Sequence, residues 1–200
     1  MMAGISRFRT AALLGIAILI TACSGTDKPP TTVVDACRMQ TERPQWFRAM
    51  RATEAKWGVP VSVQLATIAR ESSFVADARP TRTERRMIFF TREVPRSSAY
   101  GYAQAIDGTW DWYLRETGRR RADRTDFADA SDFIGWYMAS NSRMNGVSTR
   151  DAYNQYLAYH EGKAGYARGS YRNKSWLPPV ARDVQTWAVR YEQQLASCGG

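Results

Sequence analysis

The chain has 200 residues, a hydrophobic fraction of 44% and a formal net charge of +9. This length and composition suit one globular domain with one core and exclude two domains of ordinary size. A charge of this sign indicates an anionic partner, which can be nucleic acid, an anionic lipid surface or an acidic polymer.

Residues 1–22 have the pattern of a secretory signal peptide and are not expected to be part of the fold. Arg7 and Arg9 precede an apolar run of about ten residues, which is too short to span a bilayer but typical of a signal sequence. The run ends in Ile-Thr-Ala-Cys, which resembles the bacterial lipobox, where the cysteine is lipidated and becomes the first residue after cleavage. We therefore expect a lipid anchor on Cys23; the alternative is an ordinary signal peptide followed by a chance cysteine.

Export changes the interpretation of the positive charge. Loss of residues 1–22 removes two arginines and leaves a charge of about +7. Nucleic acid is not an expected partner in an exported protein, whereas peptidoglycan stem peptides carry carboxylates that fit a basic surface. Ser24, not Asp, follows the cysteine, which resembles lipoproteins sorted to the outer membrane. We expect a bacterial envelope protein anchored there and facing the periplasm.

The two remaining cysteines, Cys37 and Cys198, are near opposite ends of the mature chain. An even pair in an oxidising compartment predicts a disulfide. This bond would close a loop of about 160 residues and stabilise the fold by on the order of 5 kcal/mol in the chain-entropy model.

A tether is expected before the folded domain. Residues 24–36 are rich in Ser, Thr and Pro and have no hydrophobic period. This composition predicts a lipidated N-terminus and tether over residues 23–43 and one domain over residues 44–200. The first helix of that domain is predicted between Pro44 and Gly58. Its apolar residues at helical spacing are Trp46, Phe47, Met50 and Trp57.

Further helices follow in chain order. Pro60 begins the second, since proline is tolerated in a first turn, and Glu71 lies at the edge of its apolar stripe. Asp126 is a suitable N-cap for the next long helix. Ser148 with Asp151 three residues later resembles a capping box that opens another. The stripe of the second helix consists of Val61, Leu65, Ile68 and Ala69.

A last helix is predicted from about Val180. No stretch of the chain shows convincing two-residue alternation of apolar and polar side chains. The predicted fold class is therefore all-α, with at most a minor β-hairpin.

The helical pattern breaks between Asp77 and Arg96. The segment from Arg79 to Arg96 contains six arginines and two glutamates, a net charge of about +4. Its centre, Met87–Phe90, is an apolar quartet that would be costly to expose. We expect a hairpin or flap that docks along the domain.

Glu71 is the first candidate for chemistry. A carboxyl near a helix C-terminus, at the edge of a buried stripe, has its pKa raised by desolvation and by the negative end of the helix dipole. A general acid that protonates a glycosidic oxygen near neutral pH needs such a raised pKa. The alternative is a solvated glutamate paired with Arg70 or Arg79.

Two other segments contain candidate binding residues. Ser97–Gln104 combines small residues and glycine with the Gln104 amide, which can bind a polar ligand. Ala158–Gly165 contains His160, the only histidine, and a lone histidine on an apolar face usually belongs to the core. No second histidine or free cysteine lies at metal-ligand spacing, so no metal site is predicted.

Taken in order, these three segments resemble the motifs of the lytic transglycosylases of the soluble-transglycosylase (SLT, lysozyme-like) type. Glu71–Phe74 resembles the Glu-Ser-x-Phe motif, Ser98–Gln104 the Gly-Ala-x-Gly-Leu-Met-Gln motif, and Ala158–Gly162 the Ala-Tyr-Asn-Ala-Gly motif. The resemblance covers about residues 44–170. It implies a lysozyme-like helical domain with a substrate groove.

The resemblance also implies a reaction, with peptidoglycan glycan strands as the partner and no cofactor. Glu71 would be the single acid/base that cleaves the β-1,4 bond between N-acetylmuramic acid (MurNAc) and N-acetylglucosamine (GlcNAc), with formation of a 1,6-anhydro sugar. Gln104 and Tyr159 would line the sugar site. The other candidate substrate-binding residues are Ser97, Ser98, Tyr102 and His160.

Departures from the family pattern indicate a divergent subfamily. Ser98 replaces a glycine, His160 replaces an asparagine, and Tyr102 with Ala103 replaces Leu-Met. The gap between Glu71 and the second motif is about twice the usual length and contains the arginine-rich segment, whose arginines are expected to face stem-peptide carboxylates. The alternative is a docked loop whose arginines pair with surface acids. Pro80 occupies the position of a substrate-binding serine, a role that Ser97 or Ser98 would take over.

Three other functions remain open at this stage. A hydrolytic lysozyme would need a second carboxylate, for which Glu161 and Asp107 are the candidates. A non-catalytic peptidoglycan-binding lipoprotein would keep the groove without activity. An envelope scaffold would use the basic flap to bind a protein partner.

Overall fold

The computed structural model describes residues 28–87 and 90–198. It is predominantly helical with one small antiparallel hairpin, so the predicted fold class is confirmed. The described helices are α1 (Ala36–Glu42), α2 (Pro44–Trp57), α3 (Val61–Ser72), α4 (Asp107–Thr117), α5 (Phe127–Asn145), α6 (Ala152–Glu161), α7 (Lys163–Ala167), a short 3-10 helix (Ser170–Asn173) and α8 (Leu177–Ser197). The strands are β1 (Thr81–Met87) and β2 (Phe90–Pro95). None of the helices described here is long and apolar enough to cross a membrane.

Helix α5 is the central element of the core and is buried along most of its length. It packs against α2, while α3 and α6 both pack against α8. The buried carboxylate of Asp132 fixes α5 in place, since it accepts hydrogen bonds from Lys56, Trp57 and Tyr113. Arg119 adds an ion pair at 3.3 Å. A buried charge is tolerated in this position because several donors compensate its desolvation.

The folded domain begins before Pro44, within the segment that the sequence predicted as a tether. Helix α1 contacts α8 and α2, and the Ala36 backbone amide donates to the Gln194 side chain at 2.9 Å. Cys37 forms the predicted disulfide with Cys198, at a Cα–Cα distance of 5.9 Å. Seven residues are too few to show a clear helical period, and these tertiary contacts stabilise a helix that would be marginal alone.

Two predicted helix starts are shifted in the structure. The N-cap of α6 is Asp151, not Ser148, and its carboxylate accepts the Asn154 backbone amide at 3.0 Å. Helix α8 begins at Leu177, three residues before the expected Val180. Two prolines occupy its first turn, where the missing amide hydrogens have no helical partner in any case. Asp126 caps α5 as predicted.

The arginine-rich segment forms the hairpin of β1 and β2. Thr81 pairs with Pro95 at its base, and the described strand side chains are mostly exposed. Over the residues described, each strand makes its extensive backbone contacts with the other strand and not with a helix. The expected docking of Met87–Phe90 lies outside the described residues, because the side chains of 85–90 are not described.

Candidate active site

A groove of about 790 Å³ lies at the C-terminal end of α3. Its walls come from the last turn of α3, from residues 99–109, from α5 and α6, and from the residue before α8. Its aromatic lining residues are Phe133, Tyr137, Tyr156, Tyr159 and Trp176. Two carboxyls, Glu71 and Glu161, also line it.

The position of Glu71 follows from the way α3 is held. Residues 61–68 of this helix are buried, and the buried Gln64 amide donates to the Met50 and Val59 carbonyls. Directly after the helix, Ser73 and Phe74 have φ values of 51° and 63°. Non-glycine residues rarely adopt this left-handed conformation. It turns the chain sharply and buries the Phe74 ring against Trp46, so Glu71 is left in the last helical turn beside the groove.

Burial raises the pKa of the Glu71 carboxyl to about 7, although a hydrogen bond from Tyr156 and the nearby charge of Arg70 oppose this shift. The desolvation expected from the sequence is therefore present. Arg70 is exposed, and the Arg79 guanidinium lies over the Tyr100 ring at 4.4 Å. These positions do not favour the alternative of a solvated, arginine-paired glutamate. At neutral pH the carboxyl populates both protonation states.

Three tyrosines, Tyr137, Tyr156 and Tyr159, line the groove together with this carboxyl. The Tyr159 hydroxyl donates to the Ala103 carbonyl at 2.6 Å, and the Tyr137 hydroxyl donates to the Ala158 carbonyl at 3.2 Å. Burial, followed by the charge of Glu71, raises the pKa of Tyr159 well above its ordinary value. The tyrosines are therefore neutral donors at physiological pH. Tyr156 lies three residues before Tyr159, and this spacing puts both rings on one side of α6.

Glu161 has the opposite electrostatic environment. Its side chain is only 4% exposed, which disfavours the charged form. Hydrogen bonds from Lys174 at 2.6 Å, from Ser170 at 2.5 Å and from His160 outweigh this burial and lower the pKa of Glu161 to about 2. Glu161 is therefore a permanent carboxylate that joins the end of α6 to the segment before α8.

Of the residues predicted to bind substrate, Gln104, Tyr159 and His160 line the groove. The Gln104 amide nitrogen donates to the Ala78 and Gly101 carbonyls, both at 2.8 Å, so this side chain also holds two loops together. His160 lies with its ring edge-on to Trp176, at 5.0 Å between centroids.

The three other residues predicted to bind substrate, Ser97, Ser98 and Tyr102, are not among the residues that line the groove. Tyr102 is 2% exposed and packs edge-on against Phe127 in the core, since this position of the turn points inward. Ser98 faces away from the groove, where its hydroxyl accepts the Asp107 backbone amide at 3.2 Å. The Ser97 hydroxyl is exposed and accepts the Ala99 amide.

The glycine of this turn is required. Gly101 has a φ of 80°, and a Cβ there would lie 2.2 Å from the Arg124 carbonyl oxygen.

Asp107, one of the two candidates for a second catalytic carboxylate, is exposed, pairs with Arg124 and is not among the groove-lining residues. Within residues 28–87 and 90–198, no group of three His, Cys, Asp or Glu side chains is placed to bind a metal ion.

A family model described as the transglycosylase SLT domain matches residues 11–198. The chain belongs to this family. A search of curated proteins gives no match. Membership implies peptidoglycan glycan strands as the ligand and a lytic enzyme that transfers glycosyl groups.

In this SLT domain the arginine-rich hairpin lies inside the matched range, and its base adjoins the groove. Pro80 and Arg96, one at each end of the hairpin, both line the groove. The Arg96 backbone amide donates to the Pro80 carbonyl at 2.8 Å, and the Gly101 amide donates to the Ala78 carbonyl at 3.0 Å. Both ends of the insertion are therefore held beside the groove.

Proposed function

We propose that the protein is a peptidoglycan lytic transglycosylase that cleaves the MurNAc–GlcNAc β-1,4 bond and leaves a 1,6-anhydro-MurNAc end, with Glu71 as its single acid/base. One observation carries this proposal: of the two carboxyls in the groove, only Glu71 has a pKa near neutrality, about 7. Glu161 is held ionised, with a pKa of about 2.

The proposed reaction needs one group that both gives and takes a proton. Neutral Glu71 protonates the glycosidic oxygen as the bond from MurNAc C1 to that oxygen breaks, and the GlcNAc hydroxyl leaves. The resulting carboxylate removes the proton from the MurNAc 6-hydroxyl, whose oxygen bonds to C1. Water is not consumed, and Glu71 ends in its initial state. A pKa near the working pH suits both steps, and the 2-acetamido group can stabilise the cationic transition state.

The hydrolytic alternative is less well supported. Hydrolysis normally requires a second carboxylate that activates water or attacks the sugar. Glu161 already accepts hydrogen bonds from three side chains, and a strongly lowered pKa makes it a weak base. Asp107 lies outside the groove lining and pairs with Arg124.

Mass spectrometry of digested sacculi tests the proposal. Purified protein is incubated with sacculi, and the soluble muropeptides are analysed with and without borohydride reduction. Anhydro ends that resist reduction are expected. Reducible ends would identify a lysozyme, and a protein that binds sacculi without releasing products would be a non-catalytic binder. Either result contradicts the proposal.

We also propose that Cys23, which lies outside the described residues, is lipidated and anchors the domain at the outer membrane. The Ile20–Cys23 sequence and the preceding apolar run support this proposal. Mass spectrometry of protein extracted from membranes is expected to show a mature chain that begins with an acylated Cys23. An unmodified Cys23, or its absence from the mature chain, would refute the anchor.

A further inference from the structure

Trp176 is an exposed aromatic residue in the groove. Its side chain belongs to a small group of large hydrophobic residues that are more than one third exposed, and it is 52% exposed. Of that group, only Trp176 and Ile106 line the groove, among the residues described. Indole surface that is exposed in a concave site indicates a ligand-binding position, because a ligand that covers it gains binding free energy.

The position of Trp176 is well fixed by its neighbours. It directly precedes α8, whose first residue, Leu177, is fully buried. The His160 ring packs against the indole in a T-shaped arrangement. Behind this pair, the buried Glu161 carboxylate bonds to His160 and to Lys174, two residues before Trp176. A side chain held in this way loses little conformational entropy when a ligand binds.

The chemistry of the ligand matches such a surface. In β-1,4-linked GlcNAc and MurNAc the ring substituents are equatorial, so each face of the ring presents C–H groups. The negative face of an aromatic ring attracts such groups, and their contact removes apolar area from water. Trp176 and Glu71 line the same groove, so one strand can contact both side chains.

We propose that Trp176 is a stacking platform for one pyranose ring of the glycan strand, and so a substrate-binding residue. This inference rests on the proposed function for the identity of the ligand as a glycan. It does not depend on the reaction product or on the protonation of Glu71.

Calorimetric titration with a β-1,4-linked GlcNAc tetramer tests the platform. All proteins carry Glu71→Gln, so that binding is measured without turnover. Trp176→Ala is expected to weaken binding by about tenfold, the effect of losing one aromatic contact area. Trp176→Phe keeps a ring and is expected to recover most of the affinity.

Met144→Ala is the matched control, since Met144 is 57% exposed and lies outside the groove lining. Its affinity should equal that of the parent. Equal binding by the Trp176→Ala and Met144→Ala proteins would overturn the platform. Failure of Trp176→Phe to bind better than Trp176→Ala would also overturn it, as would absence of tetramer binding by the parent.

A second measurement uses the unaltered side chain, in case Trp176→Ala impairs folding. The chain contains seven tryptophans, and a ¹⁵N-labelled Glu71→Gln protein gives a signal for each indole N–H. With assignment from Trp176→Phe, the Trp176 signal is expected to shift most during tetramer titration. A titration that shifts other indole signals but leaves Trp176 unmoved would refute the proposal. If sacculi yield no anhydro products while Trp176 still responds, the proposed reaction fails and the platform stands.

Discussion

The two carboxyls of the groove, Glu71 and Glu161, show that burial alone does not determine the pKa of a carboxyl. Both are shielded from solvent, yet the pKa of Glu71 is raised to about 7 and the pKa of Glu161 is lowered to about 2. The difference lies in their partners. Glu71 has a neutral tyrosine donor and an exposed arginine nearby, whereas Glu161 bonds to an ammonium group, a hydroxyl and an imidazole. At Glu71 the desolvation penalty is the larger effect and raises the pKa. At Glu161 the hydrogen bonds and the nearby positive charge outweigh desolvation and lower the pKa.

This contrast suits the two carboxyls to different roles, one in proton exchange and one in structure. A proton can be exchanged near neutral pH only where both forms are accessible, which applies to Glu71. A permanently ionised, multiply bonded carboxylate is suited to holding chain segments together, which applies to Glu161. Each assignment can be tested separately by replacing one carboxyl with its amide.

The largest expected effect is that of Glu71→Gln on catalysis. Loss of the proposed acid/base should lower turnover of sacculi by at least about 10²–10³-fold, the usual scale for such a group. Asp107→Asn is the matched control, since Asp107 is exposed, pairs with Arg124 and is not among the groove-lining residues. This control should retain near-normal turnover. Near-normal turnover by a folded Glu71→Gln protein would remove Glu71 from the mechanism.

The same variant has an expected effect on stability, with a defined sign. The pKa of Glu71 is raised in the folded state, so its favourable contribution is full below about pH 4.5 and is lost as the pH rises through 7. Glu71→Gln should therefore be more stable than the unaltered protein at pH 8, by about 1–3 kcal/mol, and the gain should shrink towards pH 5. Denaturant unfolding at both pH values measures this difference, and a gain that is equal at both values would contradict the assigned pKa.

Glu161→Gln should have the opposite stability effect. The pKa of Glu161 is lowered in the folded state, so its contribution is present above about pH 4.5 and is lost as the pH falls towards 2. At pH 7 the variant should lose about 1–3 kcal/mol, the cost of weakening a buried hydrogen-bonded group, and the loss should fade in acid. Glu192→Gln, which removes an exposed ion pair with Arg150, should cost less than about 1 kcal/mol. Equal losses in both variants would show that Glu161 is not a structural anchor.

Tyr156→Phe refines the comparison at Glu71. The Tyr156 hydroxyl lowers the pKa of Glu71, so its removal should raise that pKa further. Since the acid form is required first, activity should be lost above about pH 7 in the unaltered protein, and at higher pH in the variant. The pH dependence of kcat/KM measures the pH at which activity falls on the alkaline side. Tyr166→Phe removes a hydroxyl that bonds to Asn154, and should leave this pH unchanged. If the pH of this alkaline fall is the same in Tyr156→Phe, a group other than Glu71 controls the loss of activity.

Much of the fold and the position of Glu71 could be predicted from local pattern. Helices α2, α3 and α5 are long, strongly periodic and begin or end at Pro44, Gly58 and Asp126, so their signals are local. Glu71 was predicted at the edge of a buried stripe, because three or four residues separate positions on one face. Helix α1 has too few residues for such a signal and depends on contacts with α8.

The features that sequence reasoning missed depend on long-range contacts. The bond between Tyr156 and Glu71 joins α6 to α3, and no local spacing indicates it. Glu161 was a candidate catalytic group until its bonds to Ser170 and Lys174 were known. Tyr102 lies in a short turn, where neither helical nor strand periodicity predicts which side chains point inward.

The hairpin provides the smallest expected effect and a test of substrate preference. Its arginines, including the exposed Arg82 and Arg92, project from a base that adjoins the groove at Pro80 and Arg96. If they contact stem-peptide carboxylates, replacing Arg82 and Arg92 by Ala should slow cleavage of intact sacculi severalfold. Peptide-free glycan strands should be cleaved at the normal rate, and the difference should shrink with added salt because exposed charges are screened.

The design of this comparison separates recognition from chemistry. The arginine whose charge acts on Glu71 is Arg70, so the loss of activity near pH 7 should be unchanged in the double variant. Arg190→Ala on α8 is a control for the loss of an exposed positive charge outside the groove lining. A matching loss on both substrates would contradict peptide recognition, since a contact with stem peptides cannot affect strands that lack them. An undiminished rate on sacculi would leave the hairpin arginines paired only with neighbours such as Glu84, which Arg82 already contacts at 2.5 Å.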